Sequence, residues 1–302
     1  MLNQQEINKF VSANLKNVTH YLEIPSVSAQ HRGIDETVAW ISDQFTNLGA
    51  ARVEQWTDQG GNPVVFAEFS GNNDNTVLFY NHYDVQPPEP LDEWKSEPFS
   101  PTERDGKLFA RGVCDDKGEL MSRLTMLRYF KENGGLPVNM KFFVEGEEEL
   151  GSPHVDNYVE AHQADLQADE CIWEGGGKDE DEKFQITCGL KGIVSFDLHV
   201  KTADADIHSS LASYADNAVW RLVNALASLK DGNRVKVDGF YDSVKQLTQT
   251  EEEAVDKLNF NEEQVKQGYG LKVPFVTDDP KHDLINGSTI TINGISGGYE
   301  GE

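Results

Sequence analysis

The first part of the chain alternates between two hydrophobic periodicities, and this alternation restricts the fold more than any other feature. Apolar residues at helical spacing predict helices, and short β-branched or aromatic runs between Gly, Asn and Asp predict strands. The predicted helices cover residues 3–22, 35–48 and 117–133, and the predicted strands cover 52–56, 63–69, 76–81, 138–144 and 170–173. This order predicts an α/β fold with a mostly parallel central sheet flanked by helices. Ligand sites of such sheets lie at the carboxyl ends of the strands.

The pattern changes near residue 178, where a charged turn at 179–182 introduces a second part of the chain. The second part is predicted to contain strands at 184–188, 193–201 and 288–293, a helix at 217–229 and a polar helical stretch at 240–267. We therefore predict two domains, residues 1–188 and residues 189–302, of which the second has α+β architecture.

Charge and composition exclude several classes of protein. The 302 residues include 26 Lys and Arg against 52 Asp and Glu, which leaves a formal net charge of −26. This balance excludes a basic nucleic-acid binder. The longest apolar runs, of about four residues, are far shorter than the roughly 20 residues that span a bilayer. The N-terminal sequence lacks the apolar core of a signal peptide, and Cys114, Cys171 and Cys188 are typical of reduced thiols, so we expect a cytoplasmic protein without nucleic-acid or membrane partners.

Two short segments carry side chains with metal-ligand chemistry. His82 and Asp84 follow an apolar strand, and an aspartate placed two residues after a histidine can fix the tautomer of a ligating imidazole. A histidine in an ordinary polar turn would give the same pattern. Asp115 and Asp116 open the predicted helix 117–133, where they are either an N-cap or a carboxylate that two cations share.

Two further strand ends are acidic. Glutamates occupy positions 145 and 147–149 directly after the strand 138–144, and Glu174 closes the strand 170–173. A run of acids is usually a solvated surface, but this run is bounded by an apolar strand and two glycines. A histidine and carboxylates at converging strand ends predict a two-metal hydrolytic site, with the ions about 3.5–4 Å apart and one glutamate left unligated as general base. Zinc fits this set of ligands best, and cobalt and manganese are alternatives.

Longer motifs surround these residues. They are His82-Tyr83-Asp84-Val85-Gln86-Pro87, Trp94 followed by Glu97-Pro98-Phe99, Asp105-Gly106-Lys107-Leu108-Phe109-Ala110-Arg111-Gly112, Asp115-Asp116-Lys117-Gly118, and the glutamate segment that ends in Gly151-Ser152. In these motifs the chain resembles the dizinc aminoacylase/carnosinase metallopeptidase family, which includes carboxypeptidase G and succinyl-diaminopimelate desuccinylase. The first two motifs are most similar to those of the carnosinase-like dipeptidase branch.

The resemblance implies a zinc-peptidase catalytic domain that binds two Zn²⁺. By the family pattern, His82 and Glu174 bind one ion, Asp115 bridges the two ions, and Glu149 binds the second. It also implies a cis peptide bond between Asp115 and Asp116.

For the full-length form, the resemblance further implies a hydrolase that cleaves the peptide bond of dipeptides or short peptides. In that pattern Asp84 supports the ligating histidine, and Glu148 is the general base that takes a proton from a zinc-bridged water. Two alternatives stay open, namely an N-acyl amino acid deacylase or desuccinylase of the same family and a non-catalytic truncated fragment.

The second domain resembles the lid, or dimerisation, domain of the family. His208 matches a lid histidine that reaches across a homodimer to the partner's site and stabilises an oxyanion there, although an ordinary histidine in a turn would look the same. The glycine-rich segment at 297–298 lies inside the lid in the family. We therefore expect a chain that is truncated at its C-terminus, without the final zinc-ligand histidine and an arginine that binds the substrate carboxylate.

Overall fold

The computed structural model describes residues 4–178, 183–187 and 189–298. The predicted turn at 179–182, Cys188 and the residues after 298 lie outside the described residues. The chain divides into two compact units, residues 1–176 and 177–302, and each is described by itself below. The domain boundary predicted after residue 188 stays a prediction.

The first unit follows the predicted order of elements closely. Its helices are α1 (Gln4–Glu23), α2 (Ile34–Leu48), α3 (Lys117–Glu132) and α4 (Val155–Ala161). Its strands are β1 (Arg52–Trp56), β2 (Val64–Phe69), β3 (Thr76–His82), β4 (Thr102–Arg104), β5 (Lys107–Phe109), β6 (Asn139–Glu145) and β7 (Glu170–Ile172). Hydrophobic periodicity located α1, α2, α3 and strands β1, β2, β3, β6 and β7 to within a few residues. The short elements α4, β4 and β5 were not predicted.

The central sheet has the strand order β1-β2-β6-β3-β7. Strands β3 and β6 and strands β3 and β7 pair in parallel, whereas β1 with β2 and β2 with β6 pair antiparallel. The predicted α/β class is confirmed, but the sheet is mixed rather than mostly parallel. The short connection 57–63 explains the antiparallel β1–β2 pair, because a turn between consecutive strands returns the chain antiparallel.

Both faces of the sheet are buried. Successive side chains of a strand point to opposite faces, so each face contributes its own set of side chains. On one face Phe142 packs against Phe45 of α2 and Phe79 of β3, with a centroid separation of 5.0 Å in each pair. On the other face Phe143 belongs to a separate cluster that includes Tyr158 of α4. Helices on both faces hold the parallel strands β3, β6 and β7, whose carboxyl ends lie at one edge of the sheet.

Lys117, the first residue of α3, is fully buried and joins this helix to the end of α1. Its Nζ donates hydrogen bonds to the carbonyl oxygens of Tyr21, at 3.1 Å, and Ile24, at 2.5 Å. Burial lowers the pKa of Lys117 to about 7, although the charge of Glu36 opposes this shift. A neutral amine has two N–H groups, which matches the two carbonyl acceptors.

The buried lysine predicts a pH-dependent stability. In the unfolded chain Lys117 keeps its proton up to about pH 10.4, so folding releases a proton between pH 7 and that value. The free energy of unfolding is therefore expected to rise with pH, by at most about 1.4 kcal/mol per pH unit, relative to a Lys117→Met variant. Urea unfolding of both proteins at pH 7, 8 and 9 measures this difference, and a difference that does not change with pH would contradict the assignment.

The second unit is built from short elements. They are β8 (Gly177–Lys178), β9 (Phe184–Gln185), α5 (Ala218–Ser228), β10 (Lys230–Asp231), β11 (Arg234–Val235), α6 (Gln249–Lys257), α7 (Glu262–Gly268) and α8 (Pro280–Asn286). The helix predicted at 217–229 is confirmed as α5. The polar stretch 240–267 forms α6, which begins with a capping box of Thr248 and Glu251, and α7. In the described part of the chain, no helix is both long and apolar enough to cross a membrane.

Two predicted strands of this unit are wrong. Within the described residues, neither 193–201 nor 288–293 forms a strand, although both segments alternate apolar and polar residues. Ile193 and Val194 are 89% and 86% exposed. Alternation only marks the face that a strand would bury, and a strand forms only where a neighbour accepts and donates its backbone hydrogen bonds.

Candidate metal centre

His82 is the last residue of β3, and its imidazole is fully buried. Its Nδ1 lies 3.0 Å from the backbone oxygen and 3.3 Å from the Oδ1 of Asp84. This contact leaves Nε2 as the atom that faces the neighbouring acids. Burial opposes a charge on the ring, but the hydrogen bond with Asp84 and the negative charges of Glu174, Asp116 and Asp84 outweigh it and raise the pKa of His82 to about 10.

Asp84 connects the histidine to the glutamate segment. It is fully buried, and its two carboxylate oxygens accept hydrogen bonds from the backbone N–H groups of Glu148, at 3.2 Å, and Glu149, at 3.1 Å. The same side chain therefore orients the His82 ring and positions a helical turn, Glu148–Leu150, that follows β6. This arrangement suits the predicted supporting role of Asp84.

Three acids from three different elements converge on the Nε2 of His82. Asp115 Oδ1, at the start of α3, lies 2.8 Å away, and Glu174 Oε2, just after β7, lies 3.4 Å away. Glu148 Oε2 lies at 3.9 Å. The parallel register, in which His82 pairs with Glu145 and Phe79 pairs with Ile172, brings these strand ends together.

Asp116 also joins this group. The peptide bond between Asp115 and Asp116 is cis, as the resemblance implied. Asp116 Oδ2 accepts hydrogen bonds from the amide of Asn81, at 2.6 Å, and the backbone N–H of His82, at 3.0 Å. Among the described residues, a group of potential ligands within 4.8 Å of one another consists of His82, Asp116 and Glu174. Asp115 stays the predicted bridging ligand. Asp116 is a buried acid, and the sequence did not reveal its contacts with Asn81 and His82.

Glu149 lies in the same turn as Glu148. Its carboxylate Oε2 accepts a hydrogen bond from Gln86 Nε2 at 2.9 Å, and Gln86 also donates to the Glu149 carbonyl at 3.2 Å. Gln86 therefore holds this predicted ligand close to the strand end that carries His82. Its position in the motif that begins at His82 is the sequence signal for this role.

Close packing of these acids is electrostatically unfavourable, and a bound cation would offset this repulsion. Burial, together with the charges of Asp116, Glu148 and Asp115, raises the pKa of Glu174 to about 8 against the opposing effect of His82. Asp116 Oδ1 and Glu174 Oε2 are buried without a hydrogen-bond partner. Buried polar atoms normally have partners, and an imidazole nitrogen with carboxylate oxygens is a typical set of zinc ligands. The residues present therefore fit a divalent metal.

His208 belongs to the second unit and is exposed. It caps the short helical turn Ser209–Leu211, where its Nδ1 accepts a hydrogen bond from the backbone N–H of Ser210 at 3.2 Å. This local contact agrees with the simpler interpretation of the sequence as well as with the lid motif. The role of His208 across a dimer stays a prediction.

Sequence reasoning missed two polar residues behind the site, Asn81 and Arg123. Asn81 contacts Asp116, and Arg123 of α3 contacts the ends of β3 and β7. Asn81 stands next to His82, which is a weak signal. Arg123 stands in a helix without a motif, and nothing in the local pattern distinguishes it from an exposed arginine.

Comparison with known proteins gives consistent matches. The model of a family described as peptidase family M20/M25/M40 matches residues 78–283. A Cys-Gly metallodipeptidase of Schizosaccharomyces pombe is 30% identical over 98% of this chain and 66% of its own length, and a Beta-Ala-His dipeptidase of Rattus norvegicus is 30% identical over 87% of this chain and 57% of its own. The solved structure of an M20 family metallo-carboxypeptidase from Sulfolobus solfataricus has a TM-score of 0.86 and 36% identity, and covers 96% of this chain and 67% of that one. The chain thus spans between about half and two thirds of the length of these relatives.

Proposed function

The chain belongs to peptidase family M20/M25/M40, and from this premise we propose that it forms the metal-binding part of a hydrolase that cleaves the peptide bond of dipeptides or short peptides. The observation that carries the proposal is the convergence of Asp115, Glu148 and Glu174 on the Nε2 of the buried His82. These side chains come from separate elements, so their meeting depends on the whole fold of the first unit. Dipeptides are the class of substrate in the names of both curated relatives above.

For the metal we propose zinc, with two ions in the complete active site. The family implies a divalent metal, and the histidine and carboxylate ligands favour zinc, with cobalt and manganese as alternatives. His82 and Glu174 would hold one ion, and Asp115 would bridge to a second ion held by Glu149. Asp84 would keep the Nδ1 of His82 engaged, so that Nε2 is the ligating atom.

In the proposed mechanism Glu148 moves the proton. Bound cations activate water and polarise the scissile carbonyl. Glu148 accepts a proton from the attacking water at a carboxylate oxygen and passes it to the amine nitrogen as the C–N bond breaks. Burial raises the pKa of Glu148 above its usual value, which makes this carboxylate a stronger proton acceptor.

The remaining proposals concern the setting of the enzyme. We propose a homodimer that forms through residues 189–302, with His208 near the partner's substrate. This unit has large exposed apolar side chains, among them Ile193 and Val194. Such side chains support the proposal that another protein surface covers this face. The exposed thiols of Cys114 and Cys171 support a reducing, cytoplasmic location.

Substrate screening tests the proposed activity. In the full-length enzyme we expect hydrolysis of Cys-Gly and β-Ala-His in the presence of Zn²⁺, loss of hydrolysis after chelation, and recovery when Zn²⁺ is restored, all measured by release of free amino acids. Turnover of only N-acetyl or N-succinyl amino acids would replace the dipeptide proposal by the deacylase alternative. No turnover together with no bound metal would favour the non-catalytic alternative.

A further inference from the structure

Arg123 lies on the inner side of α3, where its side chain is 10% exposed. One terminal nitrogen of the guanidinium donates hydrogen bonds to the Tyr80 carbonyl and, at 2.5 Å, to Asn81 Oδ1. The other terminal nitrogen donates to the Trp173 carbonyl at 2.8 Å. A single side chain of α3 therefore binds the ends of two neighbouring strands, β3 and β7.

The residues that Arg123 contacts directly precede predicted metal ligands in the sequence. Tyr80 and Asn81 immediately precede His82, and Trp173 immediately precedes Glu174. A movement of the guanidinium would therefore change the separation of these two ligands.

Two further contacts extend the network on either side of Arg123. The Asn81 amide, whose oxygen accepts from Arg123, donates to Asp116 Oδ2 at 2.6 Å. Glu119 Oε2 lies 3.5 Å from the guanidinium and accepts a hydrogen bond from the backbone N–H of Gly175 at 3.0 Å. The network thus connects the start of α3 with the residues on both sides of Glu174.

We propose that Arg123 is a positioning residue of the metal centre, which sets the distance between His82 and Glu174 by binding both strand ends from α3. The inference rests on the proposed function, because it assumes that these two residues are ligands of one ion. Arg123 itself touches neither the ion nor the substrate.

The chemistry of the side chain explains why an arginine occupies this place. A guanidinium is planar and has five N–H donors in a fixed fork, so it can hold several acceptors at set angles. A lysine ammonium is a point charge on a flexible stem. An Arg123→Lys variant keeps the positive charge but cannot reproduce the three separate contacts, whereas Arg128→Lys makes the same exchange further along α3, at a half-buried position.

Metal titration of the purified chain tests the proposal. Affinity for Co²⁺ is measured by its visible absorption, affinity for Zn²⁺ by competition with a chromophoric chelator, and thermal unfolding is followed with and without metal. We expect Arg123→Lys to lower both affinities about 10-fold or more, in the range seen for residues that orient ligands. We also expect an altered Co²⁺ spectrum and a smaller metal-induced rise in the unfolding midpoint. Arg128→Lys should match the wild type in all three measurements.

A purely structural role would give a different result, namely a lower unfolding midpoint of the metal-free protein with wild-type affinity and spectrum, and this would overturn the proposal. If Arg123→Lys does not fold, Arg123→Gln is measured instead, beside Glu119→Ala. Glu119→Ala releases the Gly175 contact and keeps the three contacts of Arg123, so it serves as a folded reference, and Arg123→Gln, which has two N–H donors in place of five, is the deciding variant. Wild-type metal affinity in Arg123→Gln would overturn the proposal, whereas a loss of affinity would support it. A wild-type chain that binds neither Co²⁺ nor Zn²⁺ would contradict the proposed function itself, before any variant is compared.

Discussion

Replacement of Glu148 by glutamine in the full-length enzyme is expected to lower kcat/KM for dipeptide hydrolysis by about 10³-fold, in the middle of the range for removal of a general acid or base. Glutamine has nearly the shape of glutamate but cannot accept and return a proton. The Glu148 carboxylate lies 3.9 Å from the Nε2 of His82, so it is close enough to act at the site. It is not one of the predicted metal ligands. Metal content should therefore stay at the wild-type value while turnover falls.

Glu147→Gln is the matched control for this variant. Glu147 is the neighbouring glutamate, but its carboxylate lies 2.7 Å from His154 Nδ1 and outside the group of acids that face His82. We expect its kcat/KM to stay close to wild type. If Glu148→Gln kept more than a tenth of wild-type activity at full metal content, Glu148 would not be the general base.

Replacement of His82 by alanine is expected to reduce the affinity for Zn²⁺ by more than about 100-fold, since loss of a ligand should exceed the 10–100-fold effect of losing a residue behind one. The imidazole is the proposed nitrogen ligand of the cluster, and without it Asp116 and Glu174 face each other with neither a metal nor an imidazolium to balance their charge. Metal content after dialysis against metal-free buffer measures the loss. The rise in unfolding midpoint that Zn²⁺ causes in the wild type should disappear at the same time.

His20→Ala controls for the loss of a histidine elsewhere in the chain. His20 lies on α1, is exposed, and pairs with Glu23 at 2.7 Å. Its removal should leave metal content unchanged. Retention of wild-type Zn²⁺ affinity in a folded His82→Ala protein would show that the ion, if bound, lies elsewhere.

Local patterns predicted most of the first unit because each helix or strand there buries side chains at the spacing that its own backbone geometry sets. In β6 the adjacent residues Phe142 and Phe143 pack on opposite faces, as expected of a strand buried on both sides. The same reasoning failed for 193–201, where alternation was present but no pairing formed in the described residues. A strand depends on a partner that its own sequence does not specify.

The candidate metal centre likewise contains residues that local sequence predicts and residues whose role depends on the tertiary structure. His82, Asp84 and Glu148 were predictable because each lies next to an apolar strand within a recognisable motif. Arg123 was not, because its importance depends on β3 and β7 being neighbours, and these strands are far apart in the chain. The sequence indicates only that Asp116 is one of two acids at a helix start. In the structure its side chain contacts Asn81 and His82 and makes no capping hydrogen bond.

The sequence by itself determined which residue types stand at the strand ends, and with them the family and the chemistry that the chain can support. Only the tertiary structure decided which of these residues meet. Parallel pairing of β3 with β6 and β7 brings His82, Glu148 and Glu174 to a single edge, and Asp115 joins them from the segment that precedes α3. Burial at that edge removes the water that would otherwise screen the acids, and raised pKa values and unpartnered oxygens follow from the burial itself rather than from the order of the residues.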